Sequence, residues 1–465
     1  MKKILLSLAI CSGISASTPW MNDPGLWFFQ QESYYKENLE KRMLPVGQES
    51  FDSVSRILVG QEEIYPRALE MIRNAKEQIL FDMYLFGGDI ADQMLEILDE
   101  KHKQGVVVRL ILSPVRRSEK KAEAGNRTQI FETLYNETLA EETVYSYPTP
   151  EGFTVQEEAD NYVKPPYRPK VLKAVNMGLP VVHANPKFIP DGGLVKINHQ
   201  KLLVVDGTRA LVGGMNFATT VATNHDTMVE VSGPLIKELE HIFVNTWNLG
   251  FAKDDSSILH YNEERALADM QALRSDNNWH FARAKSTLTA PYLKNTREVL
   301  VKEIGAAQKS ILIEQLLFND TETLKAVAEA AKRGVQVRII VDPGTHLYGF
   351  DWKGGPNNKA VALVQALQEK FPGIDIDVRH YKIKHGQEMH CKLIVIDDKI
   401  VGLGSTNFTS GAFQSNYETF VFFEGESLAL AYREFFEKDW DTRGLVVEKL
   451  NGLHKLIGMF SDILF

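Results

Sequence analysis

The chain has 465 residues. That is room for two or three domains at roughly 150 residues each, or for one large duplicated unit. Hydrophobic residues make up 44% and charged residues 24%, which excludes disorder for the bulk of the chain. Lys and Arg number 52 against 61 Asp and Glu, a net charge of −9. A dedicated nucleic-acid binder carries a basic surplus, so the balance argues against nucleic acid as the partner.

At the N-terminus, Lys2 and Lys3 precede an apolar run from Ile4 to Cys11, followed by Ile14-Ser15-Ala16-Ser17. This is the layout of a secretory signal peptide over residues 1–17. It predicts an exported protein, periplasmic or secreted. The alternative is a cytoplasmic protein peripheral to a membrane. Residues 18–50 form an aromatic-rich extension with Trp20, Trp27, Phe28, Phe29, Tyr34 and Tyr35, a candidate for membrane contact. No run of the roughly 18 consecutive apolar residues needed to span a bilayer follows. The two cysteines, Cys11 and Cys391, belong to no CxxC or Cys/His array, so no zinc site is expected.

Further along, the chain repeats itself. Ala75 to Pro114 and Ala306 to Pro343 each read as helix end, apolar strand, polar turn, amphipathic helix, glycine turn and second strand. Ile90, Met94, Leu95, Ile97 and Leu98 carry the helical period in the first copy. Gly105 and Gly334 stand where a helix C-terminus takes a left-handed residue. Strand–helix–strand units at this spacing predict an α/β fold with a mixed, largely parallel sheet flanked by helices.

A second pair of blocks follows, Asn198 to Val231 and Met389 to Phe423, each reading His-x-Lys-x4-Asp-x6-Gly-(Gly/Ser)-x-Asn. His199 aligns with His390, Lys201 with Lys392, Asp206 with Asp397, Asn216 with Asn407, and Asp226 with Glu418. The repeat divides the chain into a first half at 51–252, a connecting helical segment at 253–285, and a second half at 286–445. The first half is longer, and its excess falls in a proline-rich excursion at about 114–196. After it, Val446, Leu450, Leu453, Ile457, Phe460 and Leu464 form an apolar stripe, predicting an amphipathic helix over 446–465.

On a strand, His199 and Lys201 share a face, as do His390 and Lys392, while Cys391 turns away as a small buried hydrophobe. Two lysines and two asparagines supply donors suited to phosphate oxygens. Two imidazoles divide the remaining work: one attacks phosphorus and the other protonates the leaving oxygen. This chemistry requires no metal and no cofactor. Asp226 and Glu418 are candidates to hold the far ring nitrogen of each histidine.

The double motif resembles that of the phospholipase D superfamily, the HKD phosphodiesterases, over roughly Phe51 to Trp440. The resemblance implies a two-lobed fold of duplicated halves, with one active site where the halves meet at a pseudo-twofold interface. It also implies a covalent phosphohistidine. It makes His199 and His390 the nucleophile and the general acid/base, His199 by family habit being the nucleophile. Lys201, Lys392, Asn216 and Asn407 then bind phosphate. The family motif counts Asp206 and Asp397 with the catalytic residues. Their own position, after four apolar residues and before a turn, predicts instead that they satisfy backbone donors. Gly214 stands where Ser405 stands in the second block, which predicts a lost hydroxyl contact.

The sequence between the motifs is similar to the bacterial cardiolipin synthase and phospholipase D branch. The implied activity is a phospholipase D-type phosphodiesterase or phosphatidyltransferase acting on a phospholipid, with water or an alcohol as acceptor. A nuclease of the superfamily and a cardiolipin synthase-type transferase are the alternatives. Both motifs lie in one chain, so a monomer suffices.

Overall fold

The computed structural model describes residues 39–112, 197–251, 254–344, 355–384 and 387–452, with 115–119, 129–133, 455 and parts of 170–182. The expected leader at 1–17, most of the aromatic extension at 18–50, most of the 114–196 excursion and the apolar stripe beyond 452 lie outside the described residues.

The first half runs β1 (Phe51–Val59), α1 (Gly60–Asn74), β2 (Gln78–Met83), α2 (Gly88–Lys103), β3 (Val107–Leu112), β4 (Lys201–Val205), β5 (Arg209–Gly213), β6 (Thr227–Ser232) and α3 (Ile236–Phe251). After α4 (Glu263–Leu273) the second half repeats the order. It runs β7 (His280–Ala290), α5 (Thr296–Ala306), β8 (Ser310–Gln315), α6 (Thr321–Lys332), β9 (Gln336–Val341), α7 (Asn358–Lys370), β10 (Ile376–Tyr381), β11 (Lys392–Ile396), β12 (Ile400–Gly404), β13 (Glu418–Glu424), α8 (Glu426–Thr442) and β14 (Gly444–Val446).

These elements follow from local sequence. β2 and β8 are buried on both faces along their whole length between helix layers, each with an apolar centre and polar residues, Asp82 and Glu314 among them, near its ends. In α2, Ile90, Ala91, Met94, Leu95 and Leu98 are the buried stripe. In α6, Asp320 caps the helix by accepting from the Thr323 amide, and Leu324, Val327, Ala328 and Ala331 are buried. Gly105 (φ 89°) and Gly334 (φ 94°) end these two helices in the left-handed region.

All the strands named above join one 16-stranded sheet in the order β14-β10-β9-β8-β11-β12-β13-β7-β1-β6-β5-β4-β2-β3. β1 and β7 pair antiparallel at its centre, with Val54 opposite Phe281, so the sheet reads the same outward from the middle in either direction. One face carries a core under α1 and α2 in the first half and another under α5, α6 and α7 in the second. The other face carries a core shared by α3 and α8, with Trp247 and Phe436 fully buried. The pseudo-twofold extends to side chains. The Arg109 guanidinium lies 5.6 Å from the Trp247 ring centroid, and Arg338 lies 5.8 Å from that of Trp440.

Three expectations are corrected. The sheet is mixed, but it is not largely parallel. β2–β3, β8–β9, β9–β10 and a short outer pairing of β3 are parallel, and the other neighbours on its path are antiparallel. Helical crossovers serve only those parallel pairs, while the motif blocks fold as hairpins. The connecting segment is helical at Glu263–Leu273 but becomes strand β7 at His280, so the second half begins before residue 286. Val446, the first residue of the apolar stripe, ends strand β14 and is 81% exposed, so it starts no helix.

Candidate active site

Each motif histidine sits just before a strand that its own lysine opens, β4 or β11. Short bridges then tie each motif to the opposite half. The His199 amide donates to the Tyr417 carbonyl at 2.9 Å, and the His390 amide to the His225 carbonyl at 2.7 Å. Tyr417 and His225 immediately precede Glu418 and Asp226, so the carboxylates arrive crossed. His199 Nδ1 lies 3.0 Å from Glu418 Oε2, and His390 Nδ1 lies 2.6 Å from Asp226 Oδ2. The two sequence blocks therefore build one site, and neither half completes its own histidine.

The carboxylates are themselves held. Ser405 Oγ donates to Glu418 Oε2 at 2.5 Å and Asn416 Nδ2 to Oε1 at 3.0 Å. Asp226 Oδ1 accepts from the Thr227 amide at 2.8 Å. Gly214 is explained by this packing: a Cβ there would stand 2.3 Å from Asp226 Oδ1. A serine at 214 would not restore a missing contact, as expected from sequence, but would collide with the carboxylate. The Asp–Gly pair and the Glu–Ser pair are two solutions to the same support.

Lys201 and Lys392 are fully buried, and each ammonium donates to its own histidine's carbonyl, at 2.6 and 2.5 Å. No carboxylate among the described residues lies within ion-pair distance of either Nζ. Buried cations without a paired anion form a receptor for one. Burial lowers the pKa of both lysines, against the pull of nearby carboxylates, Glu418 foremost at Lys201 and Asp226 at Lys392. Burial first, then Lys201 and Lys392, holds His199 well below its ordinary range; His390 is lowered by burial and Lys392. Burial raises Glu418 to about 7 against the pull of Lys201. A neutral His199 donating from Nδ1 to Glu418 presents the Nε2 lone pair outward.

Asn216 is buried, and its Oδ1 accepts from the Leu85 amide at 3.2 Å. Asn407 is half-buried, and its Oδ1 has no hydrogen-bond partner. Asp206 and Asp397 do not belong with the catalytic residues. At φ 52° and 56°, they close the turns after β4 and β11. Asp206 accepts from the amides of Lys76, Glu77 and Gln78, and Asp397 from those of Gln308, Lys309 and Ser310. They bind the entries of β2 and β8, as their local sequence predicted.

Tyr84 is the residue that motif reading missed. Its ring meets the His199 ring edge-on at 4.8 Å, and Lys201 Nζ lies 5.0 Å from its centroid. It stands just beyond β2 where Leu316 stands beyond β8. The one available signal was an aromatic hydroxyl closing an otherwise apolar run.

The chain matches the family described as cardiolipin synthase, PLD-like domain, over residues 68–247 and 300–440. It belongs to that family, and so to the phospholipase D class of enzymes. It is 23% identical over 398 residues to the probable cardiolipin synthase YwiE of Bacillus subtilis, and 24% identical over 443 residues to cardiolipin synthase 1 of Staphylococcus epidermidis. These alignments cover 83% and 90% of this chain, and 65% and 76% of the relatives, so the chain spans about two thirds of the length of the first. In fold it is similar to phosphatidylserine synthase of Haemophilus influenzae, at a TM-score of 0.56 with 15% identity, covering 93% of this chain and 98% of the other.

Proposed function

We propose that the chain is a phosphatidyltransferase that moves the phosphatidyl group of one phospholipid to an alcohol, as a cardiolipin synthase does when the alcohol belongs to phosphatidylglycerol. The crossed His–carboxylate pairs above two buried, anion-free lysines carry this reading. Lys201 and Lys392 bind the phosphodiester. His199 Nε2 attacks phosphorus, forming a P–N bond as the bond to the leaving oxygen breaks. His390, charged and held by Asp226, gives that oxygen its proton. The acceptor hydroxyl then attacks phosphorus, returns its proton to His390, and releases His199. Asn216 and Asn407 add neutral donors to the phosphate. One copy of the chain suffices, because it supplies both histidines.

Role assignment follows environment. Burial and both lysines press His199 furthest toward the neutral form, which suits a nucleophile; at His390 the Asp226 charge and hydrogen bond oppose the same pressure and the carboxylate contact is shorter, which suits the group that must carry charge. Among the described residues no helix is long and apolar enough to cross a membrane. Lipid mass spectrometry of the full chain with phosphatidylglycerol vesicles tests the activity. Cardiolipin with free glycerol is expected. Phosphatidic acid as the main product would replace transfer with hydrolysis. Cleavage of DNA with no change in lipid would overturn the lipid reading.

A further inference from the structure

Behind the histidines, the two halves part company. Four positions correspond under the pseudo-twofold. Asp82 and Glu314 sit opposite Leu202 and Leu393, the residues after the two motif lysines. Gln200 and Cys391 lie between His and Lys of each motif. Tyr417 and His225 form the cross-half bridges. Thr246 and Asp439 each precede a tryptophan, the buried Trp247 of α3 and the half-buried Trp440 of α8.

In the first set hydrogen bonds answer every side-chain polar group of Asp82, Gln200 and Thr246 except Asp82 Oδ2. Asn198 donates to Asp82 at 2.7 Å, and Gln200 bonds Thr419 at 2.9 Å and Thr246 at 3.0 Å. The second set replaces these with an imidazole, a thiol and two carboxylates. His225 Nε2, a Glu314 carboxylate oxygen and Cys391 Sγ all lie within 4.8 Å of one another. Asp439 Oδ2 stands 2.6 Å from the same His225 nitrogen.

These groups are poorly served by one another. Glu314 is fully buried, yet neither of its carboxylate oxygens has a hydrogen-bond partner. His225 Nε2 and Asp439 Oδ2 touch without hydrogen-bond alignment. Burial and the Asp439 charge hold the Glu314 carboxyl well above its ordinary range, and burial does the same to the Cys391 thiol. A buried carboxylate without a hydrogen-bond partner is costly as an anion; it keeps its proton or takes a cation in the proton's place. The imidazole is already fixed, stacked between Tyr381 at 4.6 Å and Phe435 at 5.3 Å. His225 is also the partly exposed member, at 13%, and offers the way in.

We propose that His225, Glu314, Cys391 and Asp439 form a binding site for one zinc-type divalent cation behind the His390 motif. Imidazole, thiolate and carboxylate are the ligands zinc takes in tetrahedral sites. Donors around such an ion, with bonds of about 2.0–2.3 Å, sit roughly 3.3–3.8 Å apart, so shifts of about an ångström bring His225, Glu314 and Cys391 to that spacing, with Asp439 beside the same imidazole nitrogen. The ion takes the place of the Cys391 thiol proton and of the misaligned His225–Asp439 contact. The role is structural. His225 and Cys391 adjoin Asp226 and His390, so the ion would brace the strand ends that carry the proton donor. This site does not depend on the transferase reading.

The full-length chain, stripped with a chelator and dialysed, should take up about one Zn2+ per chain, measured by elemental analysis. Co2+ should give a thiolate-to-cobalt charge-transfer band that Cys391→Ser removes. Glu314→Gln should weaken Zn2+ binding at least tenfold. If Cys391→Ser does not fold, His225→Gln reads the same loss. Absence of stoichiometric Zn2+ in the unaltered chain, or equal uptake by these variants, would overturn the proposal.

Discussion

The halves agree on the face that meets substrate and disagree on the face behind it. In front, His, Lys and a crossed carboxylate recur with nearly the same geometry, although the supporting pairs differ as Glu418 with Ser405 and Asp226 with Gly214. Behind, one half joins Gln200, Thr246 and Thr419 by hydrogen bonds and keeps a single acid, Asp82, held by Asn198, while the other gathers His225, Glu314, Cys391 and Asp439. The duplicated unit thus keeps its symmetry at the crossed histidines, at the Asp206 and Asp397 caps and at the Arg–Trp pairs, and loses it in the layer behind the histidines. There each copy is free to find its own way of satisfying buried polar groups.

The largest effect should come from breaking the pair at its centre. His199→Ala and His390→Ala should each lower kcat by about 10⁴ or more, since nucleophile and acid act as a unit. The two should differ with an activated substrate whose leaving group needs no proton. His390→Ala should still form a phosphohistidine, trapped by acid-quench and mass spectrometry, while His199→Ala should form none. The reverse pattern would exchange the roles. Next come the crossed carboxylates. Glu418→Gln and Asp226→Asn should each cost about 10²–10⁴ in kcat with little change in KM, because each alters a histidine's tautomer or charge and not phosphate binding.

The supporting residues separate the halves more finely. Ser405→Gly removes one hydrogen bond to Glu418 and should cost about tenfold in kcat, near the 1–1.5 kcal/mol of a buried bond. Gly214→Ser drives a Cβ into Asp226 and should cost more than tenfold. If the two substitutions are equivalent, the two supports are not distinct. Asp206→Ala and Asp397→Ala should leave kcat of the folded enzyme unchanged and each lower stability by about 1–3 kcal/mol, read by urea unfolding, because each strands several backbone amides.

Much of this was visible in the chain itself. The repeat aligned both histidines, both lysines and both carboxylates, because strand and motif spacings are local. The apolar run before Asp206 and Asp397 even marked them as cappers against the habit of the motif. What the chain hid was everything that depends on which half meets which. The crossing of Glu418 to His199 comes from two bridges between distant segments, and no spacing encodes it. Cys391 read as an isolated hydrophobe because its three companions come from separate strands and a helix, so no ligand spacing could appear. The first part of the strand at His280–Ala290, up to residue 285, reads as helical connector because its Lys and Arg residues alternate with small ones, which masks the period of a central strand.

The smallest effect tests the quiet side of the first half. Burial raises Asp82 to about 8, against the Asn198 hydrogen bond and the Lys201 charge. Its folded pKa exceeds its unfolded value near 3.8, so the folded state holds this proton more tightly. The stabilisation is full below about pH 4, declines as the unfolded chain ionises, and is gone above about pH 8. Asp82→Asn keeps an acceptor for Asn198 and has no proton to lose. Thermal unfolding at pH 5.5 and 8.5 should therefore show a smaller fall in Tm for Asp82→Asn than for the unaltered chain, by a few degrees. Glu314→Gln in chelator-stripped protein should flatten the profile in the same direction, since Glu314 is also raised. With Zn2+ added, the unaltered chain should lose its own pH dependence at Glu314 and keep the part due to Asp82. That divergence between equivalent positions would show one sheet using two different answers to a buried acid.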